Sequence, residues 1–182
     1  WIYPYSHPTN GGSAKIAAQS LTIHTNGGIN ANAKGYGSNL GPGSPSLTSW
    51  HSPAAGYGGL GGPGQGYPTV FGTNYGATNA VLQPGSGGAG GLTGLPTPGG
   101  GYGGGLVRVE VTGNAMVNGI LTANGGNGAR YGYAGGSGGG VFLTARGPFN
   151  GGTAAVVQAI GGNPDLSGGT WSGGGGGGRI AI

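Results

Sequence analysis

The sequence predicts an all-β chain, and three observations carry that expectation. Residues 106–111, LVRVEV, alternate aliphatic with polar or charged side chains, the period-two pattern of a strand with one buried face. Glycine supplies 53 of the 182 residues, against a usual share of about 7 %. Its runs stand directly before apolar runs: Gly103–Gly105 before LVRVEV, Gly138–Gly140 before VFLTA, Gly173–Gly178 before RIAI. The strand-and-glycine unit also recurs along the chain. A repeat whose single copy cannot bury its apolar face must stack on its neighbours. Short strands with Gly/Asn corners therefore predict a parallel β-solenoid, or β-helix, with long glycine-rich loops of polyproline-like and polyglycine-like character.

Two parts are expected in chain order. Residues 1–12 form an aromatic, proline-punctuated arm, because Pro4 and Pro8 exclude a helix and favour extended chain. Packing on its own domain and docking on a neighbouring subunit are both open to it. Residues 13–182 form a single glycine-rich β-solenoid domain. Its first copy spans Gly12 to Gly35, with Ile16, Leu21, Ile23 and Ile29 as its apolar residues. An insertion over 36–104 follows. It is rich in proline and glycine, but Tyr36, Trp50, Tyr57, Tyr67, Phe71, Tyr75 and Tyr102 are spaced through it, and a mere linker does not need them. It is read as ordered chain packed by aromatics.

The second copy spans Gly105 to Gly128: LVRVEV, a turn at Thr112-Gly113-Asn114, and one further strand through Met116, Val117, Ile120 and Leu121. A third copy opens at Gly140 and a fourth at Arg179, as RIAI. The later copies start near 105, 140 and 178, spaced by 35 and 38 residues, a repeat-protein period. Glycine before each strand predicts one crowded place per coil, where backbones approach closely or φ is positive.

Composition excludes several function classes. The net charge of +4 comes from scattered Lys15, Lys34, Arg108, Arg130, Arg146 and Arg179, with no basic run for a nucleic acid. There is no cysteine for disulfides or thiolate sites, and no apolar stretch long enough for a transmembrane helix. The chain opens at Trp1 without an initiator methionine or a signal peptide, as a mature product or a segment of something longer would. Glu110 and Asp165 are the only carboxylates. The first is expected on a strand surface and the second in a turn, rather than as an acid–base pair or a calcium site. His7, His24 and His51 lack metal-ligand spacing. No catalytic, cofactor-binding or metal-binding residue is expected, and no enzyme activity.

The runs GGSGGGVFLTA (135–145), GILTANGGNG (119–128) and GGGGGGRIAI (173–182), with GGINANAKGYG (27–37), AAGYGGLGG (54–62) and NYGATNAVLQPGSGGAGG (74–91) upstream, resemble the glycine-rich repeats of large secreted bacterial and archaeal surface proteins. The resemblance implies a secreted or cell-surface location and a β-helical, structural or adhesive role, with no catalytic residues to carry over.

The expected function is that of a structural subunit of an extracellular filament, fibre or surface matrix. Open strand edges template pairing with another chain, and head-to-tail contacts that do not close make filaments. Trp1, Ile2, Tyr3 and Tyr5 on one side, and Arg179, Ile180 and Ile182 on the other, are the expected subunit interface, joined by strand addition. The partner is then a second copy of the chain. The alternative is an adhesin or carbohydrate-binding module whose exposed aromatics stack on surface glycans.

Overall fold

The computed structural model describes residues 1–46, 52–65, 68–90, 99–129, 132–167 and 172–182. Its ten strands fall into three sets: β1 (Ser13–Ala18), β2 (Leu21–Ile23) and β3 (Gly28–Asn30); β4 (Leu106–Val111), β5 (Ala115–Val117) and β6 (Ile120–Thr122); β7 (Gly140–Ala145), β8 (Phe149–Gly151) and β9 (Val156–Gln158). β10 (Arg179–Ala181) stands by itself after the third set. The described residues include no helix. Corresponding strands pair in parallel into three sheets, ordered β1-β4-β7-β10, β2-β5-β8 and β3-β6-β9. The chain is thus all-β, and the topology is compatible with a parallel solenoid.

The register explains the alternation seen in the sequence. Ala14, Val107 and Val141 align across the first sheet, as do Ile16, Val109 and Leu143. These columns meet Ile23 and Val117 from the second sheet, and Ile29, Leu121 and Val157 from the third, in one apolar cluster. Arg108 and Glu110 alternate to the other face, where Arg108 and Lys15 both pair with Glu110, the latter at 3.8 Å. Glu110 is a ladder residue on a sheet surface, as its place in LVRVEV implied.

Each unit carries three strands, not the two expected. The run from Met116 to Leu121 breaks at Asn118-Gly119, separating β5 from β6. The Asn118 side chain serves this corner, donating to Thr25 Oγ1 at 3.1 Å and accepting from the Ala154 amide at 3.1 Å. A second asparagine ladder runs from one strand set to the next. Asn32 Oδ1 accepts from the Asn124 amide at 2.7 Å, and Asn124 Oδ1 accepts from the Ile160 amide at 2.9 Å.

Outside the strands the glycine-rich segments are joined backbone to backbone by hydrogen bonds. The amides of residues 134–139 show its geometry. Ala134 and Ser137 donate to Ala89 and Ser86; Gly135 and Gly138 to Gly173 and Gly176; Gly136 and Gly139 to Gly126 and Ala123. Donors three residues apart therefore address the same neighbouring segment, which is the period of an extended chain with three residues per turn. Side chains would not fit between such backbones. A Cβ on Gly101, Gly135 or Gly139 would run into the backbone of Gly126, Gly162 and Gly105 respectively. Among the described glycines only Gly11, Gly41, Gly76 and Gly132 have positive φ, so close approach, and not left-handed geometry, accounts for most of them.

Candidate functional site

The seven residues singled out as an interface lie at opposite ends of the strand order. At the first end Ile2 forms a parallel bridge with Ile29. Its amide donates to Gly28 O at 3.0 Å and its carbonyl accepts from the Asn30 amide at 2.9 Å. Ile2 thus covers the outer edge of β3. The bridge sends Trp1 and Tyr3 to one side, with stacked rings 6.2 Å apart. Trp1, Tyr3 and Tyr5 are exposed to 54 %, 63 % and 81 %, while Pro4 is buried. The arm therefore lies against its own chain and still presents its aromatic side chains to solvent.

At the other end β10 pairs with β7 on one edge and with no strand on the other among the described residues. Ile180 continues the inward column of Val141 and Val107, yet it is 47 % exposed, and Ile182 is 60 % exposed. Ile180, on an inward column, is left in water because no strand stacks on β10 among the described residues.

Arg179 is engaged within the chain. Its guanidinium donates to Tyr75 O at 3.0 Å and lies 5.6 Å from the centroid of the Tyr57 ring. The two tyrosine rings are 4.7 Å apart. The Tyr75 hydroxyl donates to Pro84 O and accepts from Ser86 Oγ. Burial pushes the Tyr75 phenol well above its ordinary value, against the opposing pull of the Ser86 hydrogen bond, and pushes Tyr57 up despite the neighbouring Arg179 charge. This cluster fastens the insertion to β10 through Tyr57 and Tyr75; Trp50 and Tyr67 lie outside the described residues.

The remaining polar residues do not converge. Asp165 accepts from the Ser167 amide and hydroxyl and from the Gly132 amide. These bonds, led by the Ser167 hydroxyl, hold its carboxyl below the usual value. His24 directly follows β2 and its carbonyl accepts from the Gly27 amide. His7 Nδ1 accepts from the Thr9 amide, and His51 lies outside the described residues. No group of three or more potential metal ligands occurs among the described residues. A cleft of about 290 Å³ beside Glu110, Thr144 and Arg146 contains one carboxylate, already paired.

Sequence reasoning passed over a second feature of the last-coil end. Ile160 and Leu166 are 57 % and 67 % exposed and Leu60 is 56 % exposed. Leu60 and Ile160 border segment 172–178, where Gly174 and Gly177 face solvent while Gly173 and Gly176 are buried. A run of six glycines holds no side chain to mark which positions face out, so this row was invisible in the sequence.

No known family matches this chain, and neither a curated protein nor a solved structure matches it.

Proposed function

We propose that this chain is a structural subunit of an extracellular filament, fibre or surface matrix. In this reading the three sheets are the faces of a parallel β-solenoid, and the glycine-rich segments form a polyglycine-like bundle beside it. Subunits join head to tail by strand addition, the partner is a second copy of the chain, and no catalytic step is involved. The observation that carries the reading is the pair of uncovered ends. β1 and β10 are the outer strands of one parallel sheet, so the free edge of β10 in one copy fits the free edge of β1 in the next. The same stacking lays Ile2 of the next copy against β9, which continues the β3-β6-β9 order that Ile2 already joins. An uncovered parallel edge is a ready template for another chain, and such a contact does not close on itself.

Electron microscopy of the native protein tests the proposal. Uniform filaments are expected, and their loss on Ile180→Lys, with the circular dichroism of the subunit unchanged, is the supporting result. Discrete monomers at high concentration, or filaments of normal length from Ile180→Lys, overturn it.

A second reading rests on Trp1, Tyr3 and Tyr5, exposed at alternate positions of one extended segment. Such rings stack on sugars, which supports an adhesin or carbohydrate-binding module at a cell surface. Binding to a glycan array that is lost on Tyr5→Ala would favour it over assembly.

A further inference from the structure

We infer that the glycine row Gly174–Gly177, with Leu60 and Ile160 beside it, is a docking surface for residues 4–10 of a second copy of this chain. The inference rests on the assembly reading above and extends its interface from the sheets to the glycine-rich part of the molecule.

The first observation is steric. Most described glycines would bring a Cβ into hard contact with neighbouring backbone. Four would not. Nothing lies within 4 Å of a Cβ on Gly177, and the nearest atoms to one on Gly174, Gly59 and Gly151 stand at 3.8, 3.6 and 4.0 Å. Gly59 donates to the Gly177 carbonyl, so three of the four sit side by side on one surface. The fourth, Gly151, is on β8, the last strand of its sheet. In the interior, glycine stands where another backbone comes close. At Gly174 and Gly177 it stands where none does, which is what an approaching second backbone requires.

The second observation is the hydrogen bonding. Gly173 and Gly176 donate to Ser52 and Ala55, and Gly175 and Gly178 donate to Gly162 and Ala159. The third direction of the three-residue period belongs to Gly174 and Gly177. Both residues are exposed, and their amides have no acceptor among the described residues. The row offers two donors, three residues apart, to a second backbone.

The occupant follows from the path of the chain. Residues 159–178 connect β9 to β10. Residues 3–12 connect Ile2, on the outer edge of β3, to β1, the same route at the other end of the stack. This segment already covers a glycine inside its own subunit, where the Gly37 amide donates to Pro8 O at 2.7 Å. Pro4 and Pro8 fix their own φ, a turn over 8–10 is closed by the Gly11 amide donating to His7 O at 2.7 Å, and the carbonyls of Ser6 and Thr9 accept nothing among the described residues. A second copy continuing the sheets lays this segment over the row.

The test compares Gly177→Val with the wild-type chain and with Thr22→Val, an exposed change on β2. Each is checked first for an unchanged melting curve as a dispersed subunit. The expected result is a critical concentration for assembly raised at least about tenfold by Gly177→Val and unmoved by Thr22→Val. Amide exchange at Gly174 and Gly177 is expected to be fast in the dispersed subunit and slowed in the filament. Filaments that tolerate Gly177→Val and leave both amides in fast exchange overturn this inference and leave the sheet interface standing. A wild-type chain that never assembles overturns both. If Gly177→Val fails to fold, Gly174→Ala and the exchange measurement on wild type decide.

Discussion

The guanidinium of Arg179 donates to the backbone carbonyl of Tyr75 at 3.0 Å, across a separation of 104 residues. This contact ties the first residue of β10 to the insertion that precedes the second strand set. β10 is short and paired on one edge only, so its position depends on the latch as well as on β7. A hydrogen bond from a charged donor contributes about 1.5–3 kcal/mol. Arg179→Met should therefore lower the melting temperature by about 3–12 °C. Exchange of the Ile180 and Ala181 amides should accelerate while that of Val107 and Val109 does not. Unchanged exchange in β10 would show that β7 alone holds it.

The same cluster sets the alkaline limit of the fold. Burial raises the Tyr75 phenol above its ordinary 10.0, so the folded state favours the neutral form. The associated stability is complete below pH 10 and is lost as pH climbs from there toward the folded value. Denaturant unfolding at neutral pH and above pH 10 is expected to show that decline, with Tyr57 contributing in the same direction. Tyr75→Phe removes the bonds to Pro84 and Ser86. It should cost about 1 kcal/mol at neutral pH and make the alkaline decline shallower. A decline of equal steepness in both proteins would place the alkaline sensitivity elsewhere.

The long strands were legible because Val107, Val109 and Val111 alternate with charged residues, and because the pattern returns at 140 and 179. The division of the second run was marked by Asn118-Gly119, a turn signal inside an apolar stretch, and outweighed by the hydrophobicity around it. The Arg179–Tyr75–Tyr57 cluster left no local trace, since each member is an ordinary residue in its own segment and only the register of β10 brings them together. The glycine rows are a third case. Sequence shows that glycine is required, but a three-residue period has no marker when every position is glycine, so which amides point outward emerges only from the hydrogen bonds.

On the outer face of the first sheet Lys15 and Arg108 are register partners, like charges placed side by side, and Glu110 pairs with both. Like charges opposite one another in a sheet destabilise it. Glu110→Gln should therefore cost about 0.5–1 kcal/mol at low salt, a figure kept small by the exposure of these side chains. Most of that loss should disappear as salt screens the two cations. A loss that is independent of ionic strength would mean that Glu110 acts through packing.

One substitution, glycine to alanine, should have opposite signs at two positions in the glycine-rich part of the chain. At Gly136 a Cβ would meet the Tyr102 carbonyl and stand 2.6 Å from the Gly101 carbonyl. Backbone held by hydrogen bonds on several sides cannot yield as a side chain can. Gly136→Ala should accordingly cost about 3 kcal/mol or more, at or above the upper end of ordinary overpacking. At Gly177 nothing lies within 4 Å of a Cβ and φ is not positive, so alanine loses no contact and reduces the freedom of the unfolded chain. Gly177→Ala should stabilise the dispersed subunit by about 0.4–1 kcal/mol. Thermal denaturation of the two variants at low protein concentration checks both signs. Equal destabilisation would mean that the segment preceding β10 is packed on all sides within one subunit.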